Sequence, residues 1–150
     1  MDALWQAIEA SDVAFQIGAT WLFPLLESVH VAALVLMLGS LLMVDLRLLG
    51  VAGLAYEADA MAAGMLPWVW LGFAAAVLTG AGMFVSRPSA YAANPAFQVK
   101  LVLLGLVGLN LVAHRFRRGH GVGRERLAAA VSLLLWVGVV VAGRWTGHLN

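Results

Sequence analysis

The chain contains no cysteine, which excludes disulfides, iron–sulfur centres and thiolate metal sites. Charge is scarce too: 11% of the 150 residues are charged, and the only lysine is Lys100. No basic residue precedes Arg47, so the opening "MDALWQAIEASDVAFQIG" lacks the positive stretch of a cleaved signal and is expected to be retained. A formal net charge of +1 gives no basis for nucleic-acid binding. HExxH, glycine-rich phosphate loops and a serine triad are missing as well.

What remains is strongly apolar. Hydrophobic residues make up 63% of the chain, and a mean hydropathy of +0.91 lies well outside the range of soluble domains. The expectation is a single integral membrane domain over residues 1–150, because no loop is long enough to hold a second core. Four continuous apolar runs, at about 21–49, 68–86, 97–116 and 126–146, each approach the roughly 20 residues that a spanning helix needs. They do not alternate every second residue, which argues against a barrel. The connections "YEADAMAAGMLP", "SRPSAYAANP" and "RRGHGVGRER" are short and rich in Pro or Gly, as antiparallel neighbours require. Ahead of the first span, Leu4, Trp5, Ile8 and Phe15 approximate one face of a helix over about 3–17. Because the opposite face is acidic, this helix is expected to cap the bundle or meet a partner rather than bind anionic lipid. The fold class expected is an all-α, four-helix antiparallel membrane bundle with an N-terminal interfacial amphipathic helix.

Basic residues set the orientation. Arg47, Arg115, Arg117, Arg118, Arg124 and Arg126 collect at one end of the spans (side B), against Arg87, Arg144 and Lys100 at the other (side A). The positive-inside rule places side B in the cytoplasm and both termini outside.

The polar residues within the apolar runs are the candidate site. From the helical rise, Glu27 and His30 lie about 7 and 12 Å inside side A, and Lys100 about 6 Å inside it on the third span. Arg144 and His148 mark the outer end of the fourth. Glu27 with His30, and Arg144 with His148, share helix faces by spacing. Ionisable groups inside a bilayer are costly and read by default as functional. The alternative is that Lys100 and Arg144 snorkel to the interface and Glu27 pairs with one of them as structural glue. His30 is too deep and too short to snorkel, and neutral imidazole is a common axial ligand of haem iron. Lys100 in its neutral form is a candidate sixth ligand, or its ammonium a partner for a haem propionate. Met83 is the other candidate sixth ligand, with ordinary packing the simpler reading. Gly39, Gly72, Ala76, Gly80, Gly105 and Gly108 offer room for a flat cofactor or close helix contact.

On side B, Asp45 is expected to pair with a nearby arginine. His114, beside Arg115, reads as an exposed or capping histidine more readily than as a second haem ligand. The Glu27-x-x-His30 spacing occurs once, whereas di-iron carboxylate bundles need it on two helices. Copper held by His30 and Met37 is a weaker option.

The arrangement of His30, Gly39 and Arg47 on the first helix, with Lys100 in "NPAFQVKLVLLGLVGLN", resembles the bacterial four-helix, haem-binding protoporphyrinogen oxidase. It is also similar to copper-resistance D type membrane proteins and, most of all, to bacterial four-helix integral membrane proteins with an "ESxH…DLRLLG" opening. The resemblance implies a bacterial inner membrane, periplasmic termini, and b-type haem at His30 with Lys100 involved in binding or chemistry. The oxidase pattern has a proline before the first-helix arginine where Leu46 stands here. Three functions are therefore expected in competition. The first is a b-haem protein that transfers electrons between quinone, or another membrane donor, and a periplasmic partner. The second is a protoporphyrinogen oxidase-like enzyme in which Lys100 and Arg144 bind substrate carboxylates. The third is a cofactor-free accessory subunit of a larger membrane complex.

Overall fold

The computed structural model describes residues 2–117 and 121–147, and among these every regular element is helical. Seven helices follow in order: α1 (Asp2–Glu9), α2 (Asp12–Ala19), α3 (Leu22–Leu49), α4 (Ala58–Ser86), α5 (Pro88–Ala93), α6 (Pro95–Arg117) and α7 (Val122–Thr146). Helices α3, α4 and α7 are long and apolar enough to cross a membrane, while the apolar stretch described in α6, Pro95–Asn110, is shorter. Their outer faces carry Val35, Leu78, Leu134 and Val137 more than half exposed. Apolar surface of that extent requires lipid as its solvent.

The expected interfacial helix over 3–17 is two helices. Ser11 divides them: its hydroxyl donates to Ile8 O (2.6 Å) at the end of α1 and accepts from Ala14 N (3.2 Å) as the N-cap of α2. A serine that satisfies both helix ends makes the break favourable. Both short helices do cap side A, with α1 against α4 and α5, and α2 against α3 and α4. Trp5 meets Phe84 edge-on at 5.5 Å, and Phe84, Tyr91 and Phe97 complete an aromatic cluster that joins α1, α4, α5 and α6.

A second difference is the start of α4, ten residues before the expected span. Pro67 lies inside the helix rather than ending the loop, where it leaves one intrahelical hydrogen bond unmade. Helix α3 stops where expected, at Gly50, whose positive φ of 77° closes the helix in a left-handed cap.

Helix α3 is central, packed against α4 on one side and α7 on the other, and α7 in turn packs against α6. Met37, Trp136 and Val139 form the buried centre, supported by Val69 from α4 and Leu103 from α6. At side A, Asn94 is 4% exposed and fastens two helix ends together. Its Oδ1 accepts from Ala96 N (2.9 Å) and Phe97 N (3.3 Å) to cap α6, and its Nδ2 donates to the Thr146 carbonyl at the end of α7 (3.1 Å).

Candidate functional site

His30 lies about two turns below the side-A end of α3, on the flank that packs against α4. Its Nδ1 is 2.9 Å from Thr79 Oγ1. The ring edge rests on Gly80, where a built Cβ would lie 3.3 Å from Cε1 and 3.7 Å from Nδ1. Only glycine gives the imidazole that bed, because a side chain at 80 would press on the ring. Thr79 is itself 7% exposed, and its hydroxyl reaches back to Ala75 O at 2.7 Å, the usual way a buried threonine satisfies itself within a helix.

Lys100 approaches from α6. Its stem and Nζ lie against Gly143 of α7, 3.8 Å from the position of an absent Cβ, and its ammonium is within electrostatic range of the His30 ring. A glycine from α4 and a glycine from α7 thus make room for an imidazole and an amine at one level. The stacked rings of Phe84 on α4 and Phe97 on α6, 5.6 Å apart, join these two helices near side A.

The remaining residues expected at the site stand apart from this pair. Glu27 is exposed on α3, and its carboxylate acts electrostatically on Tyr91. Tyr91, half-buried beneath the aromatic cluster, has its phenol pushed up by burial, with Arg87 opposing and Glu27 reinforcing that shift. Arg144 is exposed in the last turn of α7. Met83 is partly buried on α4, four residues beyond Thr79 and therefore on the same helix face. Met37 is 2% exposed in the core, where its thioether is packing material. His148 and the side chain of His114 lie outside the described residues. Among the described residues, no cluster of three or more His, Asp or Glu is placed to hold a metal ion.

An open recess of about 280 Å³ lies between α2 and the α4–α5 junction, lined by Glu9, Phe15, Gly18, Ser86 and Arg87. Ser86 is seven residues from Thr79, about 10 Å along α4.

Thr79, Gly143 and Tyr91 were not among the expected site residues, whereas Gly80 was expected only as one of several small residues offering room. The glycines are indistinguishable in sequence from packing glycines, and Thr79 acquires its role only when α3 and α4 meet. The glycines also sort differently from expectation: Gly72 is in close backbone contact, whereas a Cβ at Gly39, Gly105 or Gly108 would meet nothing within 4 Å.

Asp45 is 6% exposed at the α3–α7 contact, takes a hydrogen bond from Ser132, and leaves Oδ2 without a hydrogen-bond partner among the described residues; the side chains of Arg115, Arg117 and Arg118, which the sequence also offers as partners, lie outside them. Arg47 instead donates from Nε to Tyr56 O at 2.6 Å, and an Arg126 Nη2 lies beside Gly50. The cause is angular, since two residues along a helix separate side chains by about 200° and turn Asp45 inward while Arg47 goes to the surface. A buried carboxyl without a cation contributes little stability as an ion. Asp45→Asn is expected to match or exceed the wild-type thermal midpoint in detergent, because it keeps an acceptor for Ser132. Asp45→Ala should lose about 1–3 kcal/mol. A loss above about 3 kcal/mol in the asparagine variant would reveal a charged partner.

Compared with protein families, curated proteins and solved structures, the chain has no match.

Proposed function

We propose that the chain is a four-span b-type haem protein of a bacterial inner membrane, with both termini periplasmic, that transfers electrons near the periplasmic face. The observation carrying this reading is the seating of His30. The imidazole sits in an apolar span between Thr79 and Gly80, with the Lys100 amine within electrostatic range. With 23 residues, α6 is about 34 Å long and suits the fourth span.

The residues fit haem on two grounds. Imidazole is a haem ligand, and the glycines at 80 and 143 leave room beside His30 and Lys100. His30 would ligate the iron, with Lys100 or Met83 as sixth ligand; if Lys100 remains charged, it would meet a propionate. Glu27 and Arg144 would supply a polar rim at side A. Haem supplies one-electron chemistry. The chain keeps water out with its aromatic roof, and Tyr91, Arg87 and Glu27 set the charge above the site. The recess beside Arg87 gives a quinone or a redox protein its approach.

A cofactor-free subunit of a larger complex is the second reading, favoured by the open faces at Gly39, Gly105 and Gly108, where another helix could approach closely. The visible spectrum of protein purified in detergent from haem-replete cells separates the two. A Soret band that sharpens on dithionite reduction supports haem, and a folded, colourless protein supports the subunit. Rescue of cells lacking protoporphyrinogen oxidase would turn the haem reading toward the oxidase-like enzyme.

A further inference from the structure

The geometry points to Thr79 as a positioning residue that fixes His30 in one tautomer, with the proton on Nδ1 and the lone pair on Nε2. The assignment follows from counting protons. A threonine hydroxyl has one hydrogen to give and can accept others. At Thr79 that hydrogen is directed to Ala75 O at 2.7 Å, with Ala76 O further away at 3.3 Å. The contact with His30 Nδ1 at 2.9 Å must then be one in which Nδ1–H donates to Oγ1. Reversing it would leave the Ala75 carbonyl with its intrahelical bond alone and require the hydroxyl to rotate away from its shortest contact. In the neutral ring this arrangement leaves Nε2 as the only basic nitrogen.

Gly80 makes the geometry selective. The edge carrying Nδ1 and Cε1 lies over the glycine, whereas Nε2 is not within 4 Å of the position its Cβ would take. The bed therefore holds the Nδ1–Cε1 edge of the ring, with Nε2 standing off Gly80. A ring nitrogen that donates to a fixed oxygen makes the other nitrogen a better donor to a metal. Thr79 therefore does more than pack: it selects which nitrogen is offered, and it raises that nitrogen's basicity.

The tautomer assignment stands on the hydrogen bonds alone, while its consequence for iron rests on the haem reading. The test keeps the two apart. In protein labelled with ¹⁵N at histidine, His30 is expected to give the shift pair of an Nδ1–H ring in wild type and in Thr79→Ser, and a mixed or Nε2–H pattern in Thr79→Val. An unchanged Nδ1–H pattern in Thr79→Val, or an Nε2–H ring in wild type, would overturn the assignment whether or not haem is present. In haem-loaded protein, Thr79→Val is expected to bind haem 10- to 100-fold more weakly, the usual cost of losing an outer-shell partner, and to show a raised midpoint potential as the ligand becomes less basic. Thr79→Ser should restore both. Equal affinity and potential in all three would remove the metal-tuning role and leave haem ligation by His30 intact. A wild type without a Soret band would instead remove the haem reading, leaving the NMR result to decide the tautomer.

Discussion

His30→Ala is expected to abolish the Soret band while leaving the far-ultraviolet helical signal unchanged. The reasoning separates ligation from folding. The imidazole makes one side-chain hydrogen bond, to Thr79, and its loss costs about 1 kcal/mol. Thr79 retains its own bond to Ala75 O, so no buried hydroxyl is stranded. Met37, Trp136 and Val139, which hold the centre of the fold, are untouched. Iron would lose its imidazole ligand, and neither exposed Glu27 nor Arg144 can replace it. His30→Gly leaves a hole of imidazole size, so adding free imidazole should restore part of the band. Lys100→Met distinguishes its two proposed roles: a change in spin state marks an iron ligand, and weaker haem retention without that change marks a propionate partner. A full Soret band in His30→Ala would end the proposal that this residue holds iron.

Gly72→Ala should have the largest effect on folding. Alanine in a helix interior ordinarily gains about 1 kcal/mol over glycine. Here the added Cβ would lie 2.7 Å from the Ala33 carbonyl oxygen and 2.9 Å from both the backbone nitrogen and Cβ of Met37. Those atoms belong to the backbone of α3 and the root of a side chain that is 2% exposed, so relief requires α3 and α4 to separate. Overpacking a rigid contact costs typically 1–3 kcal/mol, and separation would also loosen the Met37–Trp136 centre. We expect a net loss of about 2–4 kcal/mol for alanine and no folded protein for leucine. Gly64→Ala and Gly105→Ala are controls of opposite sign: their Cβ atoms meet nothing within 4 Å, and each should be neutral or stabilising by up to about 1 kcal/mol. Thermal unfolding in detergent, followed by far-ultraviolet circular dichroism, measures the whole set. Equal midpoints for Gly72→Ala and Gly105→Ala would disprove the close approach.

Much of the scaffold was legible because spanning a membrane is a one-dimensional demand. An apolar run must be long, and its ends must carry punctuation, so Gly50 could be read as the stop of α3 before any contact was known. The errors were local. At Ser11, a single hydroxyl that serves two helix ends outweighed the amphipathic pattern running through it. At Pro67, the helix continues through a residue that more often ends one, within a long apolar segment.

The site was legible only in part. His30 and Lys100 announce themselves as ionisable groups in apolar sequence. Glu27 carries the same signal, yet its angle on α3 leaves it exposed and directed toward the Tyr91 environment. Asp45 and Arg47 look like one polar cluster, but a rotation of about 200° divides them between core and surface. Thr79 and Gly80 carry no signal above their background, because one is a helix threonine and the other a member of a glycine-rich run.

By itself the sequence determined that this chain is helical and belongs in lipid, and where ionisable groups lie along its spans, because composition, run length and helical rise are properties of the chain alone. The tertiary structure decided which glycines are contacts and which are open faces, that Asp45 meets Ser132, and that Thr79 and Gly80 hold His30. Those outcomes depend on the rotation and separation of helices about one another, which the packing of α3 against α4 and α7 sets.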